Sequence, residues 1–466
     1  MAFMPYFVLG PTSILGLIGL LRGPDKTNPT PTENWETATL DLLIPTFNEE
    51  KTVVLCLSSI IRQTLKPRQI VLIDDASKDR TTQYAQYYAD MMGINLKIIK
   101  REFNEGKTPS VYQMITESDA DVVALIDGDT ILESENYLER LIQELYQGVG
   151  IACACGFILP LGENERKHEY IAGNLEKFSK LHPTVEFSPD KTWFQQVQRG
   201  ITNAYREQLY LFLERFIYKG EMVFFGTLIF PVGCAVIYRR LYLKNVFDQY
   251  LETFGFDLTT SEDIFFGFAF ATEGYRNIVV QDVYAYTTEP RFFKLFKQIF
   301  KWSSSFLQCT YYFNELFLTP FKSFRVLIKN IRQKYDPLYK EVLEKRKIKE
   351  TYRQSFGSFF TKKYGRSIGW FVFTTAFEKV SYPTFIMMCI FLHLWEILFI
   401  TIAAEVSLFT VIITIMQSKN SRHCFRNFIR AILFSPVRYA QLLFELVVIG
   451  NFILDLWVTK NRNWRK

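Results

Sequence analysis

The chain has 466 residues, 16% of them aromatic, and a formal net charge of +6. That length holds one large catalytic domain and a membrane part besides. Its seven cysteines (Cys56, Cys153, Cys155, Cys234, Cys309, Cys389, Cys424) include no C-x-x-C pair, and its four histidines are dispersed, which excludes a disulfide framework and a zinc site. The basic residues gather at 321–366, 419–430 and 460–466, beside apolar stretches. Such clusters read as cytoplasmic flanks or contacts with anionic headgroups. No DNA- or RNA-binding motif accompanies them, so nucleic acid is not an expected partner.

Residues 4–21 are apolar and uncharged, with Arg22 following. The length suits one crossing of a bilayer. A signal peptide is the alternative, but no positive n-region precedes the run and no small-residue cleavage site follows. Residues 1–22 are therefore expected to be a retained anchor with the N-terminus outside, and 23–37 a Pro/Thr/Asn-rich linker.

From 38 to 155, short apolar runs alternate with helical patterns. Strands are expected at 40–45, 69–73, 96–99 and 122–126, with helices at 49–62, 78–92 and after Gly106-Lys107. This predicts an α/β domain with a mainly parallel, Rossmann-like sheet covered on both faces, extending over about 38–290. Acidic motifs end two of the strands, Asp74-Asp75 and Asp127-Gly128-Asp129, where open α/β sheets bind ligands. Glu163 to Tyr170 reads as a polar loop, and Trp193 to Phe216 as an amphipathic helix. Pro231-Val232-Gly233-Cys234-Ala235 reads as the floor of a groove.

Residues 291–330 interleave Phe with Lys and are expected to be amphipathic helices on a membrane face. A charged, mostly helical insert follows at 331–366. The membrane region is expected at 380–458. Within it, 384–416 is too long for one untilted span and short for two, so a tight hairpin is expected. The run 428–458 is broken by Pro436 and Arg438, and its span count stays open because the basic tail 459–466 is expected on the cytoplasmic side. Glu396, Glu405 and Arg438 lie inside these runs and are functional candidates by default, although residues at the edge of a span often merely snorkel.

Each candidate residue has a plainer reading beside the chemical one. Asp127 and Asp129 are oxygen ligands of the kind that hold Mg²⁺ or Mn²⁺ while substrate phosphates complete the shell; alone, such a motif is often a polar turn. Asp74 or Asp75 is placed to accept a hydrogen bond from a base N–H, or to cap a helix. Lys107, at a helix start that favours anions, is placed to reach a nucleotide, or lies on a surface loop. Asp263 is the candidate general base, with Glu262 the alternative; helix capping by Ser261-Glu262-Asp263 is the plain reading. Lys301 is placed to contact a diphosphate. Trp302 is placed to stack on an acceptor sugar, or to anchor at an interface. Acid, cation and aromatic together are the groups needed to move a sugar from a diphosphate to a hydroxyl.

Taken in order, Ile44-Pro45-Thr46-Phe47-Asn48-Glu49-Glu50, Asp74-Asp75-Ala76-Ser77, Asp127-Gly128-Asp129, Ser261-Glu262-Asp263 and Gln298-Ile299-Phe300-Lys301-Trp302 resemble the motif set of membrane-embedded inverting GT-A glycosyltransferases, the processive synthases of hyaluronan, chitin and cellulose. The resemblance covers about residues 38–310 well and the membrane part loosely. It implies a UDP-sugar donor and a divalent Mg²⁺ or Mn²⁺ at Asp129 with Asp127. It also implies a base at Asp263, an acceptor site at Trp302 with Gln298, and a product that leaves through the C-terminal helices. Gly233-Cys234 is similar to a Gly-Cys pair on the acceptor side of chitin synthases. Trp457-Val458-Thr459-Lys460 is similar to the W-G-T-R ending of short hyaluronan synthases and to the cellulose synthase gating loop. Two departures stand out: Lys301 replaces an Arg, which is not equivalent at a bidentate diphosphate contact, and the 331–366 insert has no counterpart. The expected function is a membrane polysaccharide synthase with a cytoplasmic catalytic domain, in a plasma or inner membrane, that extends a β-linked chain. The rivals are a non-processive transferase acting on a lipid carrier and a non-catalytic membrane scaffold.

Overall fold

The structure is a computed structural model and describes residues 8, 10–22, 33–256, 259–332, 357–416 and 421–460, with a few positions between 337 and 345. The first helix, α1 (Pro11–Arg22), spans 12 residues, or about 18 Å at 1.5 Å per residue. The earlier part of the expected anchor, residues 1–7 and 9, lies outside the described residues.

Alternation then builds the sheet, as β1 (Leu40–Thr46), α2 (Val53–Ile61), β2 (Gln69–Asp74), α3 (Thr81–Met92), β3 (Leu96–Lys100), α4 (Lys107–Glu117) and β4 (Val122–Ile126). The strands are Ile/Leu/Val runs, and α2 is buried from Val53 to Ile60, so each large aliphatic side chain there contributes about 1.5–3 kcal/mol by leaving water. The chain continues through β5 (Thr130–Leu132), α5 (Tyr137–Leu145), β6 (Ile151–Pro160), α6 (Glu163–Ala172), α7 (Leu175–Leu181) and α8 (Trp193–Phe212). A π-helical turn, Leu213–Tyr218, carries α8 into α9 (Lys219–Phe225). Next come β7 (Ala235–Arg239), α10 (Arg240–Phe254), α11 (Glu262–Glu273) and β8 (Arg276–Thr287).

The eight strands form one sheet in the order β3-β2-β1-β4-β7-β6-β8-β5. The β3-β2-β1-β4 half is parallel, as expected. The other half is mixed: β7 is antiparallel to both β4 and β6, β6 runs parallel to β8, and β5 is antiparallel to β8. The parallel order extends one way from β1 to β2 and β3 and the other way to β4. The carboxyl ends of β1, β2 and β4 therefore flank a switch point, where such sheets open a crevice.

The segment Glu163–Tyr170, expected as loop, is the helix α6. Its residues are good helix formers, Glu163 and Glu165 sit in the first turn where the helix dipole favours them, and Glu169 is fixed by Ser58 at 2.6 Å and Arg62 at 2.5 Å.

Beyond the sheet lie α12 (Phe292–Tyr312), α13 (Asn314–Phe317), α14 (Thr319–Arg332), α15 (Ser358–Tyr364), α16 (Ile368–Phe391), α17 (Trp395–Met416), α18 (Ser421–Leu433) and α19 (Ser435–Ile453). Most of the charged insert lies outside the described residues. Its end returns to the end of α11, where Arg366 donates to the carbonyls of Ala271 (2.8 Å) and Tyr275 (2.6 Å). The expected hairpin turns at Leu392–Leu394, with His393 at φ 54°, between α16 and α17. Among the described residues, two helices are long and apolar enough to cross a membrane: Trp395–Met416, and Ser435–Val458, in which α19 runs on through a π-helical turn.

Candidate functional site

Loops at three strand ends brace one another. After β1, Asn48 adopts φ 59°, its amide donates to Ser77 Oγ (2.8 Å), and its Oδ1 accepts from the amide of Lys78 (2.9 Å). Asp74 accepts from the amide of Ser77 at 3.2 Å. Asp75 takes the amides of Glu105 (2.9 Å) and Gly106 (2.8 Å) on its two oxygens, with Arg101 at 3.4 Å. Neither acid caps α3, whose N-cap is Arg80. The carboxylate of Asp75 instead shapes the turn that starts α4 and presents Lys107.

Lys107 sits at the centre of the site. Its Nζ lies 2.6 Å from Asp127 Oδ1 and 3.1 Å from Glu262 Oε1, and it donates to the Gly233 carbonyl at 3.0 Å. Burial works against its charge, but the Asp127 and Glu262 carboxylates outweigh it and hold the ammonium protonated well above its ordinary range. One cation thus joins the acidic end of β4, the start of α11 and the 231–235 floor. The backbone supports the same join, since the Asp127 amide donates to the Cys234 carbonyl at 2.9 Å.

Asp263 is buried in the first turn of α11. Its Oδ1 accepts from Ser261 Oγ (2.5 Å) and the Ile264 amide (2.9 Å). The N-cap residue Ser261 makes no side-chain capping bond; its hydroxyl serves the carboxylate. The second oxygen faces Gly233, where an added Cβ would stand 2.6 Å from Oδ2. Only a glycine leaves that face of Asp263 uncovered.

Asp129 and Glu49 are crowded acids. Burial, then the charge of Asp127, pushes Asp129 up to about 7. Burial, then Asp129, pushes Glu49 up to about 8. Among the described residues no group of three His, Cys, Asp or Glu side chains is gathered to hold a metal by itself. Two carboxylates with excess negative field fit a Mg²⁺ or Mn²⁺ ion that draws its other ligands from substrate phosphates.

The third constellation lies on α12. Thr260 Oγ1 donates to the Lys301 carbonyl (2.6 Å), its amide donates to Gln308 (3.1 Å), and Ser305 Oγ donates to Thr259 Oγ1 (2.9 Å). The residues before Asp263 are therefore laced to α12. Gln298 accepts from Arg206 Nη2 at 2.7 Å, and the Arg206 guanidinium lies 5.0 Å from the Trp302 ring centre. Arg206 is wholly buried and also reaches Glu289 at 3.3 Å, while Tyr210 donates to the other Glu289 oxygen at 2.5 Å. The Lys301 side chain is exposed and makes no ion pair among the described residues. Trp457, Thr459 and Lys460 end α19 about three turns beyond Glu445. Trp457 is 69% exposed there.

Sequence reasoning did not single out Arg206 or Glu49. The signal for Arg206 was its place on the apolar stripe of α8, with Thr202, Leu209 and Tyr210, all buried. Glu49 had none beyond its position after a strand.

Residues 41–247 match the family described as glycosyl transferase family 2. The mixed α/β sheet is a GT-A, Rossmann-like sheet, and the matched residues run from β1 into α10. Curated relatives include the uncharacterized glycosyltransferase EpsJ of Bacillus subtilis (23% identical, covering 41% of this chain and 51% of that one). Another is the O-antigen chain rhamnosyltransferase RfbN of Salmonella typhimurium (32%, covering 26% and 37%). A third is the putative glycosyltransferase EpsH of Bacillus subtilis (30%, covering 46% and 64%). The chain thus spans about half the length of EpsJ and less of RfbN. Among solved structures, the mannosyltransferase PcManGT of Pyrobaculum calidifontis, in complex with GDP-Man and Mn²⁺, aligns over 96% of this chain and 99% of that one, at 13% identity and a TM-score of 0.46.

Proposed function

We propose that this chain is an inverting, UDP-sugar-dependent glycosyltransferase that works at a membrane surface. The observation that carries the reading is Lys107, whose one ammonium ties Asp127 at the end of β4 to Glu262 beside the buried Asp263. Asp127 and Asp129 would hold Mg²⁺ or Mn²⁺, which offsets charge on the departing diphosphate when bound. Asp263 takes the proton from an acceptor hydroxyl through the oxygen that faces Gly233. The new C–O bond forms on the face opposite the leaving diphosphate, which inverts the sugar carbon. Arg206, held by Glu289, steadies Gln298 and Trp302 on the acceptor side.

For the acceptor, a lipid-linked hydroxyl fits better than a growing polysaccharide. Where α12, α16 and α19 meet, the interior is filled by Lys379, Glu445 and Ser303, all buried and mutually bonded, which leaves that join closed to a sugar chain. The chain-extending reading, with a hyaluronan- or chitin-like β-linked product, keeps the resemblance of Gln298–Trp302 and of Trp457, Thr459 and Lys460 as its support. The two apolar helices and the basic segments beside them support an integral membrane protein with its catalytic domain on the cytoplasmic side.

The test is nucleotide release by the purified full chain with Mn²⁺, across UDP-GlcNAc, UDP-glucose, UDP-glucuronate, UDP-galactose and GDP-mannose, singly and in pairs, with membrane lipid as acceptor. A short, chloroform-soluble product is expected. A long gel-retained polymer would establish chain extension instead, and no release from any donor would leave the scaffold reading.

A further inference from the structure

Beside the carboxylates lies a cavity of about 450 Å³ that the transfer chemistry does not use. It is bounded by α6, the 187–190 turn and the first half of α8. It adjoins the site through the backbone: the Leu161 amide donates to the Thr287 carbonyl at 2.8 Å, and Thr287 pairs with Thr130, the neighbour of Asp129. Its walls are largely apolar, with Leu161, Tyr170, Phe187 and Pro189.

One group in it is out of keeping. Arg166 is only 8% exposed, lines the cavity, and makes no ion pair among the described residues. Its Nη2 donates to Thr288 Oγ1 (2.8 Å) and its Nη1 to the Phe187 carbonyl (3.3 Å), neither of which carries charge. Nearby Arg199 and Arg291, by contrast, share Asp190, at 2.6 and 3.0 Å. Glu163 and Lys167 also line the space and carry opposite charges. Burial, then the proximity of Arg199, pulls Arg166 down to about 10. Asp129, Asp190 and Glu49 favour its charge only from beyond ion-pair distance; a buried cation with no direct ion pair is costly, and a ligand anion lowers the cost. The first turn of α8, just before the wall residue Gln196, holds Trp193 (76%) and Phe194 (59%) out to solvent. A second cavity shares Gly162, Gly200 and Asn203 with the first and is lined by Arg426 and Arg430 of α18. An apolar apron with basic flanks is the surface expected of a lipid interface.

We propose that this cavity is the phosphate subsite for a lipid phosphate drawn from the membrane, with Arg166 bonding a phosphate oxygen and the apolar walls receiving the start of the lipid chain. The proposal rests on the transferase reading for its purpose but not for its test. The full chain in neutral detergent is titrated calorimetrically with dihexanoyl phosphatidic acid, dihexanoylglycerol and inorganic phosphate. Phosphatidic acid is expected to bind at least tenfold more tightly than either of the others. Arg166→Gln should weaken it tenfold or more, with Arg166→Lys between, because a charge-assisted hydrogen bond is lost. Gly200→Phe is the second variant. A Cβ at Gly200 meets nothing within 4 Å, so the new ring enters the cavity without displacing a packed neighbour, and it should weaken binding to the same degree. Equal binding of the uncharged diacylglycerol, or wild-type affinity in both Arg166→Gln and Gly200→Phe, overturns the proposal. Inorganic phosphate binding as tightly as phosphatidic acid overturns the lipid source and makes the ligand a soluble phosphate. Phosphatidic acid binding through Arg166 without nucleotide release from any donor would sink the transferase reading alone, and nucleotide release without such binding would sink this one alone.

Discussion

Glu262 and Asp263 are adjacent carboxylates with unlike surroundings. Glu262 is neutralised by Lys107 at 3.1 Å, whereas Asp263 holds one oxygen on Ser261 and Ile264 and turns the other toward Gly233. The oxygen turned toward Gly233, apart from the Lys107 ammonium that holds Glu262, makes Asp263 the better base. Asp263→Asn is expected to lower sugar transfer about 10²–10⁴-fold, the usual worth of a positioned base, with UDP affinity within twofold of wild type; near-normal turnover would reassign the base to Glu262. Asp129→Asn should instead weaken Mn²⁺-dependent UDP binding itself, read by titration with and without the metal. Gly233→Ala tests the geometry. The added methyl would press on Asp263 from 2.6 Å, so turnover should drop at least a hundredfold, with a stability loss of only about 1–3 kcal/mol from overpacking. At this scale the acids were legible because Asp74 and Asp127 end apolar strands and Glu262 and Asp263 open an apolar helix, boundaries recognisable from composition alone. Arg206 was not, because an arginine in an amphipathic helix is ordinarily solvated, and only the tertiary contact with Glu289, Gln298 and Trp302 shows which face it occupies.

The helices show where pattern reading succeeds and stops. Periodicity placed α2, α3, α4 and α8 within a few residues, since each buries one apolar face against the sheet or its neighbours. It missed α6, whose Glu-Asn-Glu-Arg-Lys-His-Glu run carries no apolar stripe and is held by Glu169 on Ser58 and Arg62. The register of α1 is likewise invisible in composition. Gly16 and Gly19 of α1 cross Gly220 of α9 so closely that a Cβ at Gly220 would lie 2.6 Å from the Gly16 Cα. Small residues permit such backbone approach between helices. Gly220→Val should therefore push α1 off its seat, at a cost of about 1–3 kcal/mol from overpacking. Limited proteolysis should then cut the linker after Arg22 faster than in the wild type. An unaltered cleavage rate would mean that α1 does not dock there.

Across the molecule, the helices beyond the sheet and α1 are joined to one another by buried charged groups. Arg438 of α19 takes Glu405 of α17 in a bidentate pair, with Nη1 at 2.6 Å from Oε1. Thr12 of α1 donates its amide to Glu378 of α16 at 2.5 Å. Lys379 of α16 pairs with Glu445 of α19, and both reach Ser303 on α12, next to Trp302. These partners are up to 366 residues apart, which is why spacing in the sequence offered no sign of them: Glu405 and Arg438 were conspicuous as charges in apolar runs, but nothing local said that they face each other. Such pairs hold helices in register rather than adding much net stability, because the desolvation cost roughly matches the attraction. The Lys379–Glu445 pair allows that to be measured. Lys379→Met alone leaves Glu445 buried without its cation and should cost about 3–5 kcal/mol, whereas Lys379→Met with Glu445→Leu should recover most of the loss. If α12 depends on this pair for its position, the double variant, though stable, should still transfer sugar at least tenfold more slowly than wild type while binding UDP normally. Unfolding midpoints and transfer rates for the two variants, measured side by side, separate a structural tie from a functional one: full activity in the stable double variant would show that α12 keeps its place by packing alone.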